Sequence, residues 1–600
     1  MQFPRLEEVA RYREMTSVFG GYNHKLSCGD GQFFEMKNMT SKYFPILSPR
    51  DERGIVKRLK NPQGVLDKEE LWWIDSESLY KNGVKQELKN VTLSTSPKTM
   101  AKMGAYIIIM PDKVWINTAK TDEDGNLECG YIENSVVISN GESISFSICD
   151  EKGNAIDWKD ANYYKENTAK DGDYMLSVNS SGKPSLKVYS GSTSIWMTVA
   201  STYMQIKATG IGKGFEKEDG IKITSTYNGD SLDNIFVNTE EDGKHYSTNT
   251  YVVDRTDDII TIPGIYNGKI EAFTDIELEV ERSMPELSFI TECNNRLWGC
   301  SNDGHEIYCS KLGDIKNWNC FRGMSTDSWA ATIGSDGKFT GAITYGGYPI
   351  FFKEDGLVKV AVSSIGAHQT KETKCRGVQE GSHQSLCILN EVLYYKSTTE
   401  VCSYNGSLPY SISESFGDKR YYDAVAGSVG DKYYLSVRDE TNEYSMFAYD
   451  TLNGIWCKED DTKALFFCKH KDDLYLIDAK DNTLKSVGGS FPFDTKQDKE
   501  GRFDWCVESG VIGYSTPDNK YVSKINLRIT LEFGTNVDFL IQYDSCGEWE
   551  HKFNMSGTGT RTYSVPIIPK RCDHFRYKIQ GTGGCKIHSI TKTIEEGSDE

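Results

Sequence analysis

"NNRLWGCSNDGHEIYCSKLGDIKNW", residues 294–318, decides how the chain is read. It holds two cysteines, a histidine, several acidic groups and two tryptophans, the ingredients of an active site or a metal site. It also sets bulky residues on either side of a polar Asn-Asp-Gly turn, as two short strands folded back on one another would. The rest of the chain favours the second reading, because the device recurs. It returns as "EELWWIDSESLYKNG" near Leu71, "DKVWINTAKTDEDGN" near Val114, "GYPIFFKEDGLVKV" near Ile350, "NEVLYYKSTTEVCSYNG" near Leu393, "DKYYLSVRDETNEYSMFAYD" near Tyr433 and "DDLYLIDAKDNTLKSV" near Leu474.

From Leu297 to Leu474 these anchors are 53, 43, 40 and 41 residues apart, and Leu71 to Val114 is a further 43. A period of about 40 to 50 residues containing several short strands is that of β-propeller blades. In each copy one strand is expected to turn an aromatic inward and the next to return with another, burying one face of each strand against the neighbouring blade. Arg296, Leu297, Trp298, Tyr308, Leu312, Gly313, Asp314 and Trp318 are therefore assigned as structural residues of one blade. Tyr449, Asp450 and Trp456, within "FAYDTLNGIW", are assigned to another, where they resemble the Tyr-Asp-turn-Trp element of kelch-type blades.

Composition agrees with an all-β chain. Aromatic residues make up 12% and Gly outnumbers Pro by 54 to 15, which suits pleated strands joined by tight turns. The period breaks between about 130 and 285, where "SVVISNGESISFSICDEKGN" and "YMLSVNSSGKPSLKVYSGSTSIWMTV" still alternate as strands. After "GGSFPFDTKQDKEGRFDW" the longer alternation of "KYVSKINLRITLEFGTNVDFLIQYDSCGEWEHKFNMSG" suits a β-sandwich. The expected organisation is an N-terminal segment with the first blades (1–130), an inserted β-rich, platform-like domain (131–285), the remaining blades (286–490) and a C-terminal β-sandwich-like domain (491–600). The acidic ending "ITKTIEEGSDE" is expected to fray.

A formal charge of -19 argues against a protein that grips phosphate backbones, though a negative wall would let DNA pass without sticking. The basic run "RDERGIVKRLK", with Arg50, Arg53, Lys57, Arg58 and Lys60, reads as a solvated face or partner contact before it reads as a nucleic-acid site. The sixteen cysteines are scattered singly without a Cys-x-x-Cys pair, and no charged start leads into an apolar signal segment, so reduced, half-buried thiols are expected. The best apolar run, "GAYIIIM" at 104–110, is too short to span a bilayer.

Motifs for chemistry are thin. The nine histidines fall into no zinc-binding spacing, and His305 beside Glu306 reads as a solvated turn residue. "GIGKGF" at 210–215 lacks the spacing of a dinucleotide fingerprint and reads as a turn, and no Gly-x-Ser-x-Gly elbow or phosphate loop occurs. "TDEDGN", with Asp122, Asp124 and Asn126, reads as a turn before a cation site. Asp303, Asp336 and Glu354 are the acids a glycosidase-like propeller could bring together, but the Ser-x-Asp-x-Gly-x-x-Trp box of sialidase blades is absent from "SNDGHEIY". No catalytic, cofactor-binding or metal-binding residue is assigned, and no cofactor is expected.

The stretch at 294–318, with "PIFFKEDGLVKV" and "LYYKSTTEVCSYNGSLP" after it, resembles the β-propeller proteins of bacteriophage tails, notably the tail nozzle or tail tubular family of short-tailed phages. The opening "FGGYNHKLSCGDGQFFEMKNMTSKYFPILSPR" is similar to the start of that family, with its Phe-Gly-Gly segment, Gly-Asp-Gly turn, Asn-Met pair and Pro-Arg ending. The resemblance implies a virion component that is not an enzyme: a homohexameric ring below portal and adaptor, assembled in the host cytoplasm, through which genomic DNA passes at ejection without specific binding. Inserted platform domains would then contact neighbouring copies. The chain is shorter than the larger nozzle proteins, so a tail-tip or head-to-tail position in a longer-tailed phage stays open. The alternatives from other classes are a receptor-binding, glycan-binding or glycan-cleaving propeller and a propeller scaffold for protein partners.

Overall fold

Seven antiparallel sheets, six of four strands and one of five, follow one another around a ring in the computed structural model, which describes residues 11–180, 183–226, 238–239, 246–265, 272–513 and 519–596. Blade 1 opens at Pro62–Lys68, blade 2 at Thr99–Met103, blade 3 at Leu287–Cys293, blade 4 at Gly341–Tyr345, blade 5 at Cys387–Leu389, blade 6 at Tyr421–Val429 and blade 7 at Ala464–His470. In the first six blades the four strands are consecutive in sequence. In blade 7 the fourth place, beside Thr483–Ser486, is taken by Gly54–Arg58, which precedes blade 1, and the short strand Asp498–Lys499 lies outside it. Backbone hydrogen bonds thus lock the ring where its two ends meet.

The second strand of each blade carries the repeat, and its doubled bulky residues have a direct cause. Adjacent residues on a strand point to opposite faces. Trp72 packs with Ile107 and Ile109 of blade 2, whereas Trp73 packs with Tyr475 and Ile477 of blade 7. Phe351 joins Trp298 of blade 3, and Phe352 meets Tyr395 of blade 5 with ring centroids 5.1 Å apart. Tyr394 meets Tyr433 of blade 6 at 5.4 Å, and Tyr434 packs with Leu474 and Leu476 of blade 7. These strands bury both faces, one per seam, which corrects the expectation of a single buried face. Val114 is also not equivalent to the other anchors. It begins the third strand of blade 2, Val114–Thr121, and the matching second strand is Tyr106–Met110, whose three isoleucines stand where other blades have aromatics.

The inserted domain leaves the propeller after blade 2 and returns before blade 3. Two five-stranded sheets enclose a core that includes Phe146, Ile206, Ile223, Ile260 and Val280. A smaller four-stranded sheet, from Trp158–Asp160 to Ile195–Thr198, has its own core around Ile148, Leu176 and Leu186. "GIGKGF" lies in the link between Tyr203–Lys207 and Gly220–Ser225, with Ile211 and Phe215 fully buried.

The terminal sandwich draws on both ends of the chain. One sheet runs Arg11–Thr16, Cys585–Glu596, Lys520–Leu531, Gly559–Val565, and the other contains Gly21–Tyr22, Gln32–Lys37, Asp504–Ser509 and Phe575–Thr582. The N-terminal segment is therefore divided between this sandwich and blade 7, which a linear reading of boundaries does not reveal. "ITKTIE" does not fray: it continues Cys585–Glu596, paired on both edges, while residues 597–600 lie outside the described part.

Candidate functional site

The quoted stretch at 294–318 turns out to build an anchor. In blade 3 the link from Glu306–Cys309 to Trp329–Thr332 is a long loop where other blades have a short turn. Arg296, buried on the second strand, gathers both ends of that loop by donating to the carbonyls of Ser310 (3.0 Å), Ser325 (2.7 Å) and Asp327 (2.6 Å). Gly313 supplies a φ of 76° at its first bend, and Asp314 caps the next by accepting from the Lys316 amide at 2.9 Å. Trp318 is buried, donates to the Ile315 carbonyl at 3.0 Å, and packs in one cluster with Ile132 and Met284, the entry and exit of the insert. Leu297 belongs to the same cluster, and Tyr308 packs against it. Leu312 does not: at 43% exposure it lies on the surface, outside the blade core.

Polar groups complete the anchor. Asn317 donates from Nδ2 to the Glu218 carbonyl at 2.6 Å and accepts the Gly220 amide at 3.1 Å on Oδ1. A Cβ on Gly220 would lie 2.3 Å from the backbone of Asn319, so no other residue fits without displacement. Lys316 pairs with Glu216 at 2.6 Å, Arg322 with Glu218 at 2.7 Å and Asp327 at 3.1 Å, and Lys311 with Glu218. Beneath them Asp219 is buried against Arg282. Burial raises the pKa of Asp219 despite that guanidinium, while hydrogen bonds from Lys311 and Arg322 hold Glu218 below the usual carboxylate range. Lys113 bridges Glu133 and Glu286 at the two linkers, at 2.8 and 2.6 Å.

A second charged junction joins propeller and terminal sandwich, and it corrects the reading of "RDERGIVKRLK". Arg53 is buried and pairs with Glu459 and Asp460, each at 2.8 Å. Arg50 pairs with Asp460 at 3.2 Å and with Glu500, donates from Nε to Asn38 Oδ1 at 2.9 Å, and stacks over Phe503. Burial works against ionisation of Asp460, but Arg53 and Arg50 outweigh it and hold its pKa low. Lys57 lies over the rings of Trp73 and Tyr80. Two members of the run are thus neither solvated nor open to a phosphate. Clefts of about 430 and 860 Å³ flank Arg50, lined by charges of both signs, of which Arg50, Arg53, Glu459, Asp460 and Glu500 are paired with one another.

The Asp303 turn, the Asp336 link and the Glu354 turn are neighbours. Asp303 accepts from Ser301 and from the His305 amide in its own turn, and His305 is exposed. Asp336 lies in the link between blades 3 and 4, which runs so close to the Asp303 turn that a Cβ on Gly304 would fall 2.4 Å from the Gly337 carbonyl oxygen. Lys353 donates to the Ser335 and Asp336 carbonyls, and the adjacent Glu354 accepts the Glu380 amide at 3.0 Å. In "TDEDGN", Lys89 is the cation: its ammonium lies 2.8 Å from Asp122 and also meets Asp124. Among the described residues no group of three or more His, Cys, Asp or Glu is placed to hold a metal ion. Cys300 and Cys309 are buried thiols whose pKa values burial pushes up to about 12 and about 11. Tyr449 is half-buried and stacks near Trp456 at 4.9 Å, and Asp450 accepts from the Leu452 and Asn453 amides to form the turn between them.

Glu216, Glu218, Asp219, Arg282, Asn317 and Arg322, which the sequence reading did not single out, carry the anchor. Glu216, Glu218, Asp219 and Arg282 lie outside the repeat, in the inserted domain, and Asn317 carries no charge, so no periodic signal marks them.

Fold and junctions define a seven-bladed β-propeller with two β-domains clamped onto it. No family model and no curated protein matches the chain. Among solved structures it matches the extracellular domain of a candidate hybrid two-component system from B. thetaiotaomicron, with 8% identity over 87% of this chain and 98% of that one and a TM-score of 0.16. A GH43 glycoside hydrolase engineered for endo-xylanase and exo-arabinofuranosidase activity matches with 8% identity over 51% of this chain and 98% of that one, at a TM-score of 0.19. A puromycin hydrolase matches with 10% identity over 70% and 58%, at 0.18.

Proposed function

We propose that this chain is a structural protein of a bacteriophage tail, a subunit of a nozzle ring that continues the DNA channel below portal and adaptor and takes part in DNA retention and ejection. It is not an enzyme in this reading, needs no cofactor and works in the virion after assembly in the host cytoplasm. The sequence resemblance suggests the family. The structural observation that supports it is the pair of charged junctions, at which both accessory domains meet the propeller through buried ion pairs and aromatic packing. An acidic chain suits a passage that must release its DNA.

The test is the mass and shape of the purified protein, by light scattering and negative-stain imaging, with and without the portal-adaptor complex. A ring, alone or nucleated on the adaptor, is the expected result. A monomer indifferent to the adaptor and retained by host glycans would replace this reading with the receptor-binding propeller.

A further inference from the structure

Two of the longer outer strands of the inserted domain carry no charge. Ile195–Thr198 is the outer strand of the small sheet and, among the described residues, pairs on one side, with Pro184–Ser190. Its Ile195 and Met197 share a face and are 56% and 50% exposed. Around it, residues 190–203 contain no charged residue, in a chain where 26% are charged. Asn134–Ile138 is the outer strand of one five-stranded sheet, pairs among the described residues with Leu278–Arg282 alone, reads NSVVI, and leaves Val137 51% exposed. Free strand edges are ordinarily protected by Lys, Pro, a bulge or a covering element, because their unpaired amides and carbonyls accept another strand. Several other outer strands follow that rule, as in Gln369–Lys374 (QTKETK) and Glu550–Ser556 (EHKFNMS), whereas Trp329–Thr332 (WAAT) of blade 3 does not.

We propose that the two uncharged edges pair with each other between copies of the chain, Ile195–Thr198 of one copy adding to Asn134–Ile138 of the next. The proposal rests on the ring reading and supplies its contact. Two copies that each carry a formal charge of -19 repel, and strands that themselves carry no charge add the least to that repulsion, although Glu279 and Glu281 flank Asn134–Ile138 on the neighbouring strand. Ile195, Met197 and Val137 would be buried in the same step. Because the edges differ, each addition leaves one of each kind free, so copies join head to tail until the ring closes. The anchor at Asn317 and Trp318 holds the insert in one orientation, so that every addition turns the assembly by the same angle.

Met197→Lys and Val137→Lys place a charge on each edge at an exposed position and leave the thermal melt of the monomer unchanged. Under conditions where the wild type assembles, neither variant alone forms rings in light scattering. An equimolar mixture of the two retains one intact edge of each kind and gives a dimer that grows no further. A wild-type ring that survives both substitutions overturns the edge pairing and leaves the ring reading standing. Variants that fail to assemble singly and also fail to dimerise when mixed overturn the pairing of these two edges with one another. A wild type that stays monomeric with and without the adaptor overturns the ring reading itself, and the edge pairing with it.

Discussion

Asn317 and Gly220 meet at 3.1 Å, side-chain oxygen to backbone amide, and that contact ties blade 3 to a strand of the inserted domain. Both partners are buried and lie in a site with no room for adjustment. Asn317→Leu would strand the Gly220 amide and the Glu218 carbonyl, at a cost of about 1–3 kcal/mol for each buried group left unpaired. Gly220→Ala is expected to separate the insert from blade 3 by steric overlap. Calorimetry should then show a separate, earlier transition for the insert, and limited proteolysis should cut at the linkers near Ile132 and Met284 while the wild type resists.

Arg53 sits between Glu459 and Asp460 with almost no solvent around it. Removing one partner of a buried ion pair leaves the other uncompensated, typically at about 3–5 kcal/mol. Arg53→Met is expected to lower the denaturation midpoint of the propeller by that order. The triple change Arg53→Met, Glu459→Gln, Asp460→Asn should recover part of the loss in the same urea titration.

His368 is buried against the edges of Trp298 and Trp329, and its Nδ1 accepts the Ser363 amide at 2.9 Å. Burial, and then the charge of Arg296, push its pKa down to about 4. An imidazole whose folded pKa is below the unfolded value near 6.5 favours the neutral form, so its contribution is intact above pH 6.5 and is lost as pH falls from 6.5 towards 4. The slope is at most ~1.4 kcal/mol per pH unit. His368→Asn keeps an acceptor for Ser363 and should flatten the difference in stability across that window, read as melting temperature against pH.

All sixteen cysteines are free thiols, and only Cys546 is exposed. Maleimide treatment of the native protein should add one adduct quickly, at Cys546. Slower modification should follow at the half-buried Cys129, Cys375, Cys387 and Cys506, and sixteen adducts should appear in denaturant. Intact mass against time distinguishes this from a chain with disulfides, which would stop short of sixteen without reductant.

The propeller was legible because the pairs Trp72-Trp73, Phe351-Phe352, Tyr394-Tyr395 and Tyr433-Tyr434 each feed two seams, and large aromatics at a fixed spacing stand out in a linear reading. Blade 2 was misaligned because Ile107, Ile108 and Ile109 fill the same seams without an aromatic signal. Blade 7 and the sandwich mix residues from distant parts of the chain, and local pattern carries no information about such partners. Arg50 and Arg53 read as surface residues because a basic cluster ordinarily is solvated. Their acids, Glu459, Asp460 and Glu500, are more than four hundred residues away in sequence.

The pairing of Arg11–Thr16 with Cys585–Glu596 sets an order of events during synthesis. Arg11 and Glu595 are partners 584 residues apart. At roughly 5–20 residues per second, translation needs about half a minute to two minutes to make the second strand after the first. For all that time the first strand, and Gly54–Arg58 for most of it, lacks its strand partner, while blades 1 to 6 can already form. The nascent chain is therefore most open to strand exchange with neighbouring ribosomes on the same message before Cys585–Glu596 emerges.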